Sequence, residues 1–208
     1  MTKADVSENS KSKIMETDRL IIRNFSEDDW EDLYEYLSQK EVLRYEPGGP
    51  SSQEECRQMA ADRSKGNSFW AVCLKENGKM IGHLYFQQTE PAEFLTWELG
   101  YIFNPSYYRK GYATEASKRI VRYAFDELGA HRIVAMCNPE NTASWRLMER
   151  LHMRREGCFI KKAFFRRNEE GSPIWHDAYE YAILHEDWVK LESKLHFNET
   201  AINYDQRS

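Results

Sequence analysis

Two cations and a glycine stand together at Arg109, Lys110 and Gly111, immediately before a predicted helix. Apolar residues that recur at helical spacing across 113–128 indicate this helix, and Gly129 is its expected C-terminal cap. The first N–H groups of a helix have no partner within the helix and carry partial positive charge. Because glycine lets the backbone come close to a ligand, the junction could hold a phosphate group. On spacing alone, solvated surface charge is an equally good interpretation.

A second group of polar residues, Asn138, Asn141 and Ser144, lies between a predicted strand and another predicted helix. Asn141 or Thr142 can cap that helix. The three side chains can also project toward the end of the preceding strand, near the first junction. They are therefore candidates for ligand binding as well as for capping.

One carboxylate and one histidine are candidates for acid–base chemistry. Glu98 lies in a predicted strand whose residues Trp97, Leu99 and Tyr101 alternate with polar or small ones. Burial among these side chains would raise its pKa toward a value useful for a general base, but pairing with an arginine is an equally good interpretation. His176 is the other candidate, although such a histidine more often has a structural role.

The elements that must position these residues follow from the pattern of apolar positions. Ser26 and Ser52 each begin a predicted helix with an acidic residue at the capping-box position. Three consecutive predicted strands before the 113–128 helix are incompatible with a purely alternating βα pattern. We therefore predict a mixed sheet flanked by helices. The predicted strands are 19–23, 69–74, 80–86, 94–103, 133–136, 159–165 and 178–184.

Two blocks of the sequence resemble the GNAT superfamily of acetyltransferases. The run RKGYATEA after a strand is similar to motif A of that family, and Gly111 and Ala113 match two fixed positions of the loop that holds the pyrophosphate of acetyl-CoA. Tyr108 replaces a usual Gln or Arg, and with ELGYIF it resembles the branch that contains the ribosomal-protein alanine and serine N-acetyltransferases. The block 138–153 is similar to motif B, and the likeness extends over about residues 17–188.

Two positions of the second block depart from the family pattern. Met148 stands where many members have a tyrosine that protonates the leaving thiolate. Since a thioether cannot donate a proton, Ser144 is the candidate for hydrogen bonding to the sulfur. His152 replaces a usual glycine, which changes a turn.

The resemblance implies an α/β (mixed α+β) fold with a GNAT-like, strongly twisted mixed sheet of about seven strands and helices on both faces. It implies direct transfer of acetyl from acetyl-CoA to a primary amine, either a protein or peptide N-terminus or a small-molecule amine. Glu98 would act as base through water, Ser144 would act at the sulfur, and a backbone N–H at Ile102 or Phe103 would polarise the carbonyl. A non-catalytic acyl-CoA-binding module is the alternative. The residues expected to bind acetyl-CoA are Tyr101, Ile102, Phe103, Arg109, Lys110, Gly111, Tyr112, Ala113, Thr114, Asn138 and Asn141.

Length and composition narrow the other possibilities. A chain of 208 residues with 41% hydrophobic residues fits one domain, 14–190, after a disordered segment 1–13 and before a helix end and tail at 191–208. A net charge of −5 argues against nucleic acid as a general partner, and no apolar run is long enough for a membrane span. The four cysteines lack metal-ligand spacing, so no metal is expected. With no signal-peptide pattern, we expect a cytoplasmic protein, and a homodimer stays open.

Overall fold

The computed structural model describes residues 13–194, which contain one eight-stranded sheet. The strands are β1 (Ile14–Glu16), β2 (Leu20–Asn24), β3 (Phe69–Leu74), β4 (Met80–Gln88), β5 (Thr96–Phe103), β6 (Arg132–Cys137), β7 (Arg154–Arg167) and β8 (Pro173–Leu184). Their order in the sheet is β1-β2-β3-β4-β5-β6-β8-β7. All neighbouring pairs are antiparallel except β5 and β6, which are parallel.

Helices cover both faces of this sheet. The helices are α1 (Trp30–Leu37), α2 (Gln53–Ser64), α3 (Tyr112–Asp126) and α4 (Thr142–Arg150), and residues 185–194 are also helical. Residues of α1 and α2 share one buried cluster with β3 and the start of β4. Residues of α3 and α4 share the other with the central strands. We call these two sides the α1/α2 face and the α3/α4 face.

The predicted helix starts are built as the sequence indicates. Ser26 accepts a backbone hydrogen bond in a capping box with Asp29, at a short 3-10 turn that leads into α1. Ser52 and Glu55 form the second capping box at the start of α2. These boxes satisfy N–H groups that a helix start otherwise leaves unpaired. The second box fixes where the loop between α1 and α2 ends.

Strands β5 and β6 stay together over only part of their length. Thr96, Trp97 and Glu98 pair with Arg132, Ile133 and Val134, and no pairing between the two strands continues beyond these residues. On their outer sides, β5 pairs with β4 through Phe103 and β6 pairs with β8 through Cys137. The sheet therefore opens between the C-terminal halves of β5 and β6. We call this gap the opening.

Alternation along β5 divides its side chains between the two faces. Leu99, Phe103, Trp97 and Tyr101 belong to the cluster of the α3/α4 face, whereas Ile102 packs in the cluster of the α1/α2 face. Since successive side chains of a strand point to opposite faces, Glu98 shares the α1/α2 face with Ile102. Residues on either side of the opening can thus act on it from opposite faces.

The structure differs from the sequence-based prediction mainly at element ends. The sheet has eight strands because it includes β1, which is too short for alternation to indicate a strand. Strands β7 and β8 begin earlier than predicted, and α3 ends at Asp126, before the predicted cap Gly129. The segment predicted to be disordered lies outside the described residues except for Lys13, which forms an ion pair with Glu127. The predicted tail after residue 194 also lies outside them.

Within residues 13–194, no helix combines the length and the apolar character that crossing a membrane requires.

The packing of β4 against the end of β5 gives a stability prediction. A methyl group at Gly82 would lie 2.6 Å from a ring carbon of Phe103 and 2.7 Å from the carbonyl oxygen of Ile102. Because backbone cannot easily move away, Gly82→Ala should lower the free energy of unfolding by about 1–3 kcal/mol. Gly100→Ala is the control, since its methyl group would first meet Tyr85 at 3.4 Å. Equal denaturation midpoints for the two variants would contradict the prediction.

Candidate active site

The start of α3 is an open anion-binding position. Gly111 is the N-cap with φ +84°, and no side chain caps the helix. Within the described chain, the backbone N–H groups of Tyr112, Ala113 and Thr114 donate to no protein acceptor. Three unpaired donors together with the partial charge of the helix favour a bound anion here. Glycine provides the positive φ at little cost and leaves the approach free of a side chain.

A brace that the sequence analysis missed holds this loop in place. The Arg19 guanidinium donates to Glu115 Oε2 at 2.7 Å and to the carbonyl oxygen of Lys110 at 3.0 Å. Thr17 Oγ1 donates to Glu115 Oε1 at 2.6 Å. Burial acts to raise the pKa of Glu115, but the hydrogen bonds from Thr17 and Arg19 outweigh it and the pKa is lowered. The brace ties the loop before α3 to the start of β2.

The predicted cationic residues of the loop lie on the surface. Arg109 and Lys110 are exposed, and the Lys110 ammonium lies 5.1 Å from the ring centre of Tyr107. Thr114 Oγ1 accepts a hydrogen bond from Arg150 Nε at 3.1 Å. Arg150, from the end of α4, therefore brings a further positive charge to the start of α3, which the sequence spacing did not reveal.

The edge of β5 that faces the opening presents free backbone groups. On the opposite edge, Asn104 N–H donates to the carbonyl oxygen of Ile81, and the Thr96 carbonyl oxygen accepts from Thr89 N–H. Neighbouring residues of a strand direct their backbone groups to alternate sides. The N–H groups of Tyr101 and Phe103 therefore point into the opening. The N–H of Ile102, which we named as one of two candidates for polarising a carbonyl, points toward β4 instead.

Ser144 lies in the first turn of α4 and closes the opening on the α3/α4 face. Its hydroxyl group is 2.9 Å from the Tyr101 hydroxyl, which also donates to the Ser144 carbonyl oxygen at 3.1 Å. Burial raises the pKa of Tyr101 well above its ordinary value, so the phenol stays protonated. Burial likewise raises the pKa of Cys137 to about 11, although a hydrogen bond with Ser144 acts to lower it. The Ser144 hydroxyl is thus held between neutral groups from β5 and β6.

The two predicted asparagines shape the loop between β6 and α4. Asn141 is the N-cap of α4, and its Oδ1 accepts from Ser144 N–H at 3.2 Å. Asn138 Oδ1 accepts from Glu140 N–H at 2.9 Å. The capping role predicted for Asn141 is confirmed. In both side chains the amide NH₂ group makes no hydrogen bond with the described residues, so it can donate to a ligand.

Glu98 lies where β5 and β6 part, in surroundings other than those we expected. It is half-buried and shares a face with Tyr85. Burial raises the pKa of Tyr85, and the negative charge of Glu98 raises it further. Trp97, Leu99 and Tyr101 lie on the opposite face. Alternation along the strand causes this separation, because adjacent residues cannot share a face. Glu98 makes no hydrogen bond or ion pair with the described residues, so its carboxylate can act on a ligand.

Three further positions follow from the fold. Met148 is fully buried in the cluster of the α3/α4 face, so its thioether has a packing role. His152 has φ +61°, the left-handed turn at which the family usually has glycine. His176 is half-buried and stacks on Phe165 with ring centres 5.9 Å apart. This contact fits the structural role that we considered more common for such a histidine.

The loop between α1 and α2 adds a carboxylate that sequence spacing could not place at the site. Glu46 is half-buried, and its charge acts on the Tyr101 hydroxyl at the opening. Burial raises the pKa of Glu46 to about 7. In the sequence it stands in a Pro- and Gly-rich loop far from both motif blocks, and only the fold brings it near them.

Residues 13–194 contain no group of three or more His, Cys, Asp or Glu side chains arranged to hold a metal ion.

Known proteins share both the sequence pattern and the fold. The family described as acetyltransferase (GNAT) domain matches residues 19–154. The N-acetyltransferase YnaD of Bacillus subtilis is 41% identical over 83% of this chain and 97% of its own. A GNAT-family acetyltransferase structure from Bacillus anthracis is 38% identical, with a TM-score of 0.76 over 84% of this chain and 99% of that chain. The ribosomal-protein-S5-alanine acetyltransferase of Vibrio fischeri shares the fold, with 20% identity and a TM-score of 0.69 over 85% and 98% of the two chains.

The brace at Arg19 gives a prediction with a defined pH dependence. Glu115 has a lowered pKa in the folded state, so its contribution is present above the unfolded pKa and is lost as the pH falls through the folded value. Glu115→Gln should therefore lower the free energy of unfolding by about 1 kcal/mol at pH 7, less than a buried pair because Arg19 is half exposed.

Urea denaturation at pH 7 and at pH 3.5 measures this effect. The difference between wild type and Glu115→Gln should shrink at the lower pH. Glu31→Gln is the control, because Glu31 is exposed and pairs with no described residue. A difference that stays constant with pH would show that the Glu115 charge does not support the loop.

Proposed function

Because the chain belongs to the GNAT family of acetyltransferases, we propose that it moves an acetyl group from acetyl-CoA directly to a primary amine, with no acyl-enzyme intermediate. The acceptor is a protein or peptide N-terminus or a small-molecule amine. One observation carries the proposal: the free edge of β5 and the uncapped start of α3 lie one after the other in the chain, and both have backbone N–H groups without a described acceptor.

The residues at these two places fit acetyl-CoA. Three free N–H groups at the start of α3 suit the pyrophosphate. A Cβ added at Gly111 would lie 3.4 Å from Arg19 Nη2, and the positive φ of +84° also favours glycine at this position. Arg109, Lys110 and Arg150 add positive charge nearby. The N–H groups of Tyr101 and Phe103 suit the amide and thioester carbonyls of the extended arm, as a neighbouring strand would. Asn138 and Asn141 have amide NH₂ groups to donate from the other side of the opening.

Acetyl-CoA supplies an acetyl group that is activated as a thioester. The chain's own groups have three tasks: to polarise the carbonyl, to support the sulfur as it gains negative charge, and to remove a proton from the amine. The Phe103 N–H serves the first task. The Ser144 hydroxyl serves the second as hydrogen-bond donor. Its own oxygen then accepts the proton of the neutral Tyr101 hydroxyl, 2.9 Å away, which orients it. Met148 takes no part, since it is buried in the core.

For the third task we propose Glu98, acting through water. Its carboxylate has no described partner and lies where the two strands part, on the α1/α2 face. The acetyl donor then occupies the α3/α4 face and the amine approaches from the other. A negative charge on that side also attracts an amine in its ammonium form.

A non-catalytic acyl-CoA-binding protein would share the anion-binding start of α3 at residues 111–114, which we call the cradle. It would bind acetyl-CoA but would not transfer the acetyl group. Release of free CoA thiol from acetyl-CoA in the presence of an amine distinguishes the two functions. A panel of an alanine-initiated peptide, a serine-initiated peptide, spermidine and an aminoglycoside covers the acceptor classes. Amine-dependent thiol release, with acetylated product in mass spectrometry, supports the enzyme. Tight acetyl-CoA binding without thiol release for any amine supports the binding module.

The cradle at α3 can be tested apart from turnover. Gly111→Glu should abolish measurable binding of acetyl-CoA, because it places a negative charge at the N-terminus of α3, where that charge repels phosphate. Gly129→Glu is the matched control: this glycine also has positive φ, at +64°, but lies beyond the other end of α3. Isothermal titration measures affinity, and circular dichroism shows that both variants are folded. Unchanged affinity in folded Gly111→Glu would rule out the cradle.

The chemical groups are tested by kinetics. Glu98→Gln should lower kcat by about 10²-fold, as expected for loss of a general base. Ser144→Ala should lower kcat less, because water can partly replace a hydrogen bond to sulfur. Acetyl-CoA affinity should change little in either variant, which separates a chemical role from a binding role. If both keep near wild-type kcat, neither side chain takes part in the chemistry, while the acetyltransferase proposal stands.

A further inference from the structure

The loop between α1 and α2 is held across the opening from two sides. The Arg166 guanidinium of β7 donates to the carbonyl oxygens of Leu43 and Arg44 at 2.7 and 2.8 Å. From the other side, the Tyr45 hydroxyl donates to the carbonyl oxygen of Glu140, in the loop before α4, at 3.4 Å. These contacts join a loop of the α1/α2 face to the elements beyond the opening. The next residue of the loop is Glu46.

Glu46 is a carboxylate that the fold desolvates without giving it a partner. Its side chain is half-buried and makes no hydrogen bond or ion pair with the described residues. Its charge acts on the Tyr101 hydroxyl, the group that orients Ser144. Burying a carboxylate without a hydrogen-bond donor costs free energy. A desolvated carboxylate beside the opening is therefore a candidate functional group.

The charged groups around Glu46 come from several elements. The negative charge of Glu46 adds to the raised pKa of the Tyr101 hydroxyl on β5, and the positive charge of Arg150 on α4 opposes it. Arg166 from β7 and Glu140 from the loop before α4 hold the loop itself, which also carries Arg44, Tyr45 and Glu41. Burial alone raises the pKa of Glu46 from 4.5 to about 7. A carboxyl group with this pKa is about half ionised at neutral pH.

We propose that Glu46 is a further catalytic residue of the acetyl transfer proposed above, and that its carboxylate is the final acceptor of the proton that the amine loses. Glu98 assists by accepting a hydrogen bond from the water molecule through which that proton leaves the amine. The inference rests on the proposed function, because it requires an amine at the opening.

The step balances as a proton transfer followed by acyl transfer. An N–H bond of the ammonium breaks, its electron pair stays on nitrogen, and an O–H bond forms at Glu46. The nitrogen pair then forms the C–N bond to the acetyl carbon, and the C–S bond breaks with its pair on sulfur. The second N–H proton leaves the nitrogen and passes through water at the Ser144 hydroxyl to the thiolate, which gives the amide and the CoA thiol. Glu46 later releases the first proton to solvent. A base with a pKa near the working pH combines ionisation with proton affinity.

Glu46→Gln is the test, because the amide keeps the size and removes the titration. With the fastest amine of the panel above, wild-type kcat/KM should fall as the pH drops through about 7, since protonated Glu46 cannot accept a proton. Glu46→Gln should lower kcat/KM about 10²-fold at pH 8 and lose this acidic limb. Glu41→Gln is the matched control from the same loop, exposed and without a described side-chain hydrogen bond. It should keep the wild-type profile.

A second measurement needs no amine. Glu46 has a raised pKa in the folded state, so its favourable contribution is present below the unfolded pKa of about 4.5 and is lost as the pH rises through about 7. Glu46→Gln should therefore unfold at a higher temperature than wild type at pH 8, and at nearly the same temperature at pH 4, below the unfolded pKa. Glu41→Gln should show no such dependence on pH.

The outcomes separate this inference from the proposed function. If wild type releases CoA thiol with an amine but Glu46→Gln keeps both the rate and the acidic limb, Glu46 is not the proton acceptor and the acetyltransferase proposal stands. A thermal difference that does not grow with pH would also overturn the inference. If no amine gives turnover with wild type, both the proposed function and the role of Glu46 are overturned.

Discussion

A parallel strand pair that ends after a few residues leaves backbone hydrogen-bonding groups without partners in the middle of a sheet. In this protein β5 and β6 pair only from Thr96 to Glu98, while each remains fixed to its other neighbour. Unpaired backbone groups inside a protein cost free energy unless a ligand or water satisfies them. The sheet tolerates the gap because buried clusters on both faces hold the strands. The site depends on this divergence.

The opening also separates two kinds of chemistry. On the α3/α4 face lie the uncapped start of α3, the Tyr101–Ser144 pair and several arginine and lysine side chains, all of which favour a phosphate-bearing acyl donor. On the α1/α2 face lie Glu98 and the loop with Glu46, which favour a cation. Two carboxylates on one side and several N–H donors on the other have no described partners. In the function proposed above, the two substrates supply these partners. An amine that approaches Glu46 would meet the thioester across the strands.

Sequence patterns predicted the parts of this account that depend on local chemistry. Alternation placed β3 at its observed bounds. Capping signals placed the 3-10 turn before α1 at Ser26 and the start of α2 at Ser52. The likeness of RKGYATEA to a known loop placed the start of α3. Strand β1 was missed because three residues are too few to show the alternation of apolar and polar positions that indicates a strand. The prediction that Glu98 is buried among Trp97, Leu99 and Tyr101 was wrong. Residues adjacent in a strand lie on opposite faces of the sheet, so sequence neighbours are not neighbours in space here.

Other features depend on contacts between distant parts of the chain, which one sequence does not encode locally. Arg19 meets Glu115 only after β2 packs beside α3. The loop that carries Glu46 is joined to the elements beyond the opening only by the hydrogen bonds of Arg166 and Tyr45 in the folded protein. The central claim, that the edge of β5 and the start of α3 form one acyl-CoA site, is tested most directly by amide NMR during titration with CoA. The account predicts shifts at Tyr112, Ala113 and Thr114 together with Tyr101 and Phe103. CoA binding that leaves these five amides unchanged would contradict it.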